Sequence, residues 1–172
     1  METPASVSKT PQDGYFFSNF SKRGMFFNQV EENIVQSYRS QYLTFAYEYA
    51  QREDKPKVNA VLDRMEANFP KDIVAYDYRI LYDICMLYSK ADNINKFNEL
   101  SPLVEKDALD AMKKNPNDIQ SYWNPYKLLI DIYETRGDNA RALDVLYQLD
   151  RITPNNPEVK QKIDMLKQKQ GK

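Results

Sequence analysis

The chain contains no histidine. That removes Ser-His-Asp and Cys-His nucleophilic centres, imidazole acid–base chemistry and every zinc site that needs a histidine ligand. Cys85 is the single cysteine and cannot form an internal disulfide. Glycine is scarce, with Gly14, Gly24, Gly137 and Gly171 as the four. Their spacing gives neither G-x-x-x-x-G-K-S/T nor G-x-G-x-x-G, so the usual phosphate-cradling loops are absent and no cofactor is expected. No apolar run approaches the ~18 residues of a membrane span. The opening METPASVSKTPQDG is polar and lacks the apolar core of a signal peptide. Neither sign of charge is in excess. With 24 basic against 25 acidic side chains the net charge is -1, without the basic surplus of a nucleic-acid binder. The chain therefore reads as soluble, with no membrane span of its own and no nucleic-acid partner.

Aromatic residues are plentiful instead, with 13 Tyr, 8 Phe and 1 Trp in 172 residues. Most of the tyrosines fall inside helical patterns, which points to aromatic packing between helices. Residues 1–28 read as a flexible leader and an aromatic arm, the latter YFFSNFSKRGMFFN. The arm has no clean period. Its Phe16, Phe17, Phe20, Phe26 and Phe27 either dock on the first helices or form a partner-binding patch. Residues 29–172 read as one helical domain, a length suited to a single core. Apolar periodicity predicts helices at 30–51, 55–69, 77–90, 93–114, 121–136, 138–152 and 156–169. Asp54 before Lys55-Pro56, Asn124 before Pro125, Asp138 after Gly137 and Asn156 before Pro157 are start signals. No segment alternates with period 2, so the expected fold is all-α with about seven helices.

The punctuation repeats. Pro70 and Pro154 each close a helix pair, and aligning on them superimposes Tyr42 on Tyr126, Phe45 on Leu129 and Tyr49 on Tyr133. Leu62 then falls on Leu146 and Met65 on Leu149. A third copy between them is anchored by Tyr88, with Leu81 and Ile84 in the matching slots. Two helices repeating every 39 to 45 residues indicate an α-solenoid. The middle copy closes at Pro116, seven residues late. Seven residues are close to two turns, so its second helix should run ~10 Å longer without rotating its apolar face, Leu100, Val104, Ala108 and Met112. Pro102 should kink that helix or start a new turn after Ser101.

The segment YETRGDNARALDVLYQLDRITPNN resembles the second half of a tetratricopeptide repeat (TPR). In the copy beginning at Trp123 the family's slots are filled by Tyr126, Leu129, Tyr133, Gly137, Ala142, Leu146 and Pro154. The first copy departs from the pattern, with Glu53 in the turn-glycine slot and Val58 in the small-residue slot. The resemblance implies three irregular TPR-like helix pairs and a capping helix at the carboxy-terminal end, with Val159, Ile163 and Leu166 on its apolar side. A narrower resemblance rests on QSYRSQYLTFAYEYAQREDKPKVNAVLDRME, DIVAYDYRILYDICMLY and SYWNPYKLLIDIYETRGD, preceded by FSKRGMFFN. These runs are similar to the soluble carboxy-terminal region of a bacterial multi-pass membrane family that itself resembles protein O-mannosyltransferases. That likeness implies covalent continuation into a membrane protein and a tethered, periplasmic location; otherwise the location expected is cytoplasmic.

Candidate chemistry is thin. Cys85 occupies a small-residue slot and reads as a buried structural thiol. Glu31-Glu32 and Asp107-Asp110 border lysines as solvated charge. Asn117-Asp118 and Asp92-Asn93 read as turn and cap residues without calcium-loop spacing. No metal site and no catalytic set are expected, so the chain is not expected to be an enzyme. In tetratricopeptide proteins the first helix of each pair lines a concave surface. Carried over slot by slot, that surface includes Tyr47, Arg79, Tyr82, Met86, Lys127, Asp131 and Glu134. Tyrosine, arginine and methionine suit a protein or peptide partner. Leu43 and Tyr47 replace the first pair of the clamp by which the family's chaperone-tail binders act, so that specialised role is not implied. The groove is either open to a ligand or partly filled by the aromatic arm. Two functions follow: a non-catalytic module binding a protein or peptide, or an extracytoplasmic accessory domain of a membrane glycosyltransferase-like protein that aids acceptor recognition.

Overall fold

The computed structural model describes residues 27–170, and all regular structure among them is helical. The leader and the arm residues Phe16, Phe17, Phe20 and Phe26 lie outside the described residues. Seven helices follow in order: α1 Gln29–Gln51, α2 Lys55–Asn68, α3 Tyr78–Lys90, α4 Ile94–Lys114, α5 Pro125–Arg136, α6 Asn139–Ile152 and α7 Pro157–Gln170. Caps account for the boundaries. The fifth helix begins at Pro125, four residues later than periodicity suggested, because Asn124 is extended and its side chain accepts from Lys127 N. Proline at the first helical position then needs no donor.

Three hairpins, α1/α2, α3/α4 and α5/α6, share one turn. At the same point in each, the backbone enters the left-handed region: Glu53 (φ 57°), Asp92 (φ 57°) and Gly137 (φ 75°). The next residue donates its N–H back to a tyrosine carbonyl: Asp54 to Tyr49, Asn93 to Tyr88 and Asp138 to Tyr133. Its side chain then caps the following helix at Lys57, Lys96 or Arg141. Each turn thus closes one helix and opens the next. The tyrosine spacing read from the sequence is a backbone repeat.

Helices pack in two layers. Helix α1 touches α3 and α3 touches α5, whereas α2, α4 and α6 pack only against helices of the first layer and, for α6, against α7. The core accordingly runs along the stack, with one cluster from Leu43 to Ile132 and a second from Ala108 to Leu166. Such an arrangement is quasi-one-dimensional. Tyr88 and Tyr133 are buried and lock neighbouring hairpins, their hydroxyls donating to Asp63 of α2 (2.9 Å) and Glu105 of α4 (3.0 Å). Glu105 also accepts from Arg136 and Arg141. Tyr49 is only half-buried and makes no such contact, because no described helix precedes α1. For the same reason Phe45, aligned with the fully buried Leu129, is 55% exposed.

The long fourth helix is as expected. It has 21 residues against 14 in α2 and in α6, and Leu100, Val104, Ala108 and Met112 are all buried. Pro102 does not end it or start a new helix. The proline lies on the solvent side, where the carbonyl freed by its missing N–H can be hydrated. Helix α7 closes the stack through Val159, Ile163 and Leu166, all buried against the second cluster. At the other end Phe27 packs with Val35, Phe69 and Val74.

One buried group was not anticipated. Arg39 of α1 is 0% exposed. Its guanidinium donates to the carbonyls of Phe69 (2.9 Å), Val74 (2.6 Å), Ala75 (3.2 Å) and Pro70 (3.3 Å), and lies 4.0 Å from the Tyr76 ring centre. Burial lowers its pKa and raises that of the Tyr76 hydroxyl to about 12. The connection between the first two hairpins is wrapped around this one side chain.

Candidate functional site

The inner layer, α1, α3 and α5, presents the surface on which most of the expected site residues fall. Leu81, Ile84, Cys85, Leu87 and Tyr88 of α3 pack into the stack, and Tyr82, Asp83 and Met86 border the inner side. There they meet Tyr47 of α1 and Tyr122, which precedes α5, around a recess of about 100 Å³. Lys127 of α5 stands beside it, its Nζ 4.2 Å from the Tyr122 ring centre and 5.9 Å from that of Tyr82.

The second feature is larger. The backbones of α5 and α7 stand apart, and the space between them, floored by α6, is a cleft of about 570 Å³. Ile119, Ile130, Leu146, Leu149 and Val159 give it apolar walls, while Lys127, Asp131, Glu158 and Lys162 stand along its edges. Lys162 spans the cleft, reaching Glu134 at 2.7 Å and Asp131 at 3.8 Å. Asp131 links the two features. It accepts from the Tyr82 hydroxyl at 2.7 Å and lies 3.9 Å from Lys127.

Of the seven expected residues, Tyr47, Tyr82, Met86, Lys127, Asp131 and Glu134 line this continuous face. Arg79 does not join them. Its guanidinium is folded back in two bonds, 2.8 and 2.9 Å, onto Asp77, the cap of its own helix. Tyr82 is only 5% exposed, so it supplies a wall and a cross-link to α5 and does not stand out as a free anchor. Burial and the Asp131 carboxylate push its hydroxyl pKa well above the ordinary tyrosine value.

Sequence reasoning missed Asp83, Tyr122, Trp123 and Lys162. A lone aspartate inside the apolar run ILYDICMLY was the available signal for the first. Asp83 is 9% exposed. Burial raises its pKa, opposed by the Tyr47 hydroxyl, the Trp123 indole and the charge of Lys127. Lys162 belongs to the charged side of the capping helix, and no local pattern shows that it reaches Asp131 and Glu134 of α5. Cys85 is 0% exposed beside the Phe97 carbonyl, and burial pushes its thiol pKa up to about 12, as a structural thiol requires.

No protein-family model, curated protein or solved structure matches the chain. The site must therefore be read from its own chemistry. Its charged groups are mostly paired with each other across helices, and no group of three or more metal-ligating acidic or sulfur side chains occurs among the described residues. No described helix is long and apolar enough to cross a membrane. What the face offers is a run of aromatic, methionine and paired ionic side chains that ends in an apolar-walled cleft.

Proposed function

We propose that the chain is a TPR-like, non-catalytic module that binds a protein segment or peptide along its inner helical face. The observation that supports this best is the cleft between α5 and α7. Its volume admits several side chains of a bound segment, and its polar edges include residues that already pair with one another across the gap. An extended or short helical segment can seat an apolar side chain there and exchange Lys162 contacts for its own. Binding of this kind relies on a few buried contacts at the centre, with the ionic edges setting orientation and on-rate.

The reading is tested by selecting linear peptides from a random display library on the full chain and measuring their affinities for variants. Lys162→Glu, which places a third carboxylate beside Asp131 and Glu134, should weaken the selected peptides by about tenfold or more. Lys106→Glu on the opposite side of the stack should leave them unchanged. Equal loss from both, or loss only from the outer change, would reject the inner face.

A further inference from the structure

The recess at the centre of the inner face contains a group that peptide binding in general does not require. Asp83 is a carboxylate buried on a helix of an otherwise apolar run. Among the described residues no ammonium or guanidinium forms an ion pair with it, and the charge of Lys127 favours its ionised form from a distance. Around it stand the rings of Tyr47, Tyr82 and Tyr122. The Trp123 indole nitrogen is buried close by and, like the Tyr47 hydroxyl, acts on the carboxylate, though it falls short of full hydrogen-bonding geometry.

This combination selects for one kind of guest. Aromatic faces carry negative potential and attract cations, most strongly where water is excluded. The carboxylate adds a full negative charge at the same point, so an anion is repelled. A neutral apolar group would bury Asp83 more deeply without adding any charge to offset its own, which is costly. An alkylammonium or guanidinium meets both requirements, and about 100 Å³ holds such a head with its last methylenes. Lys127 shows the preference from within. Its ammonium is shared between the Tyr122 ring, 4.2 Å from the ring centre, and Asp131 at 3.9 Å. Lys90 also borders the recess, but it is exposed and its charge is solvated.

We propose that the recess formed by Tyr47, Tyr82, Asp83 and Tyr122 receives a lysine or arginine side chain of the partner polypeptide. Lys127, which stands beside the recess, is then an internal competitor that leaves the Tyr122 ring to the guest and keeps its pairing with Asp131. The proposal rests on the inner-face reading and names the residue class that this face selects.

Trp123 is the only tryptophan of the chain, and it stands against Tyr122 and Asp83, so its fluorescence is a probe of the recess. The full chain is titrated with butylammonium and with methylguanidinium, against 1-butanol and against sodium chloride at matched ionic strength. Both organic cations should give a saturable change that butanol and salt do not. Asp83→Asn should weaken the cations by about tenfold or more, and Lys127→Met, which removes the competitor, should strengthen them about threefold or more. A change equal for cation and butanol, one that follows ionic strength, or none at all overturns the proposal. So does unaltered affinity in a folded Asp83→Asn protein. If circular dichroism shows that Asp83→Asn does not fold, Lys127→Met decides: unchanged or weaker cation binding rejects the competitor and the recess together. Selected peptides that bind the inner face without needing a lysine or arginine would sink this proposal and leave the general one standing. Saturable cation binding with no inner-face peptide does the reverse.

Discussion

Replacing Arg39 by methionine isolates the contribution of a single buried guanidinium to the stack. The side chain spans α1 and the 69–76 connection, with carbonyl contacts at 2.6, 2.9 and 3.2 Å as its three shortest. Hydrogen bonds to a charged donor contribute roughly 1.5–3 kcal/mol each. Against them stands the cost of burying an arginine with no carboxylate in contact, several kcal/mol by general experience. Methionine removes that cost but strands the carbonyls of Phe69 and Val74, at roughly 1–3 kcal/mol apiece. Some of this is recovered as the connection loosens and takes up water. The net expectation is a loss of about 3 kcal/mol, read from urea unfolding followed by far-ultraviolet circular dichroism. Arg39→Lys should not rescue it, because a compact ammonium cannot reach carbonyls on both sides of the connection. Hydrogen exchange should quicken first at residues 69–76 and across the α1–α3 contact, with the α5–α7 end unchanged. A loss below about 1 kcal/mol for both variants, or faster exchange spread evenly over the stack, would refute the claim that this side chain organises the connection.

The three turns make a matched set. Glu53→Gly should stabilise by about 0.5–1 kcal/mol, because glycine adopts the left-handed conformation without strain, whereas Gly137→Ala should destabilise by about 1 kcal/mol. The latter cost is conformational only, since nothing lies within 4 Å of the added methyl position; thermal or urea melts of the two variants check it. Deleting residues 157–172 should uncover the apolar side of α6 and drive self-association, visible by size-exclusion chromatography and lower urea resistance; a truncated chain that stays monomeric and equally stable contradicts the capping role of Val159, Ile163 and Leu166. The Asp83 pKa is raised by burial, so the folded state holds its proton more tightly than the unfolded state and ionisation costs stability as pH rises through the folded value. The stability of Asp83→Asn relative to the parent should therefore increase from acid to neutral pH and stay flat below the ordinary aspartate range of about 4. Unfolding curves across that interval test it, and a difference of opposite slope would contradict the assigned cause. Asp77 and Glu99, held low by Arg79 and Lys71, act in the opposite sense in both proteins and cancel in the comparison.

Much of the architecture was legible because helix-forming signals here are local. Asp54, Asn93, Asp138 and Asn124 announce helix starts by their side-chain chemistry, and each caps a helix in the structure. The extra two turns of α4 could be counted from the late Pro116. Phe45 and Tyr49 were misjudged because repeat alignment assigns every copy the same neighbours, and no described helix lies in front of the first copy. Arg39 and Asp83 escaped for a different reason. Their burial depends on backbone carbonyls and rings brought in from 30 or more positions away, which no local pattern reveals. Arg79 looked available until the structure showed its cap aspartate claiming it. Six of the seven residues carried over from the repeat pattern share one face, but their contacts were not legible, since pairing across helices decides which side chains are free.

The central claim is that a polypeptide partner lies along α3 and α5 and enters the cleft before α7. The most direct measurement is amide and side-chain chemical-shift mapping of the isotope-labelled full chain against a peptide selected on it. The account predicts the largest shifts at Met86, the Trp123 indole, Lys127 and Ile130, continuing to Val159 and Lys162 of α7. Shifts confined to the solvent-facing sides of α2, α4 and α6, with these residues unmoved, would contradict it.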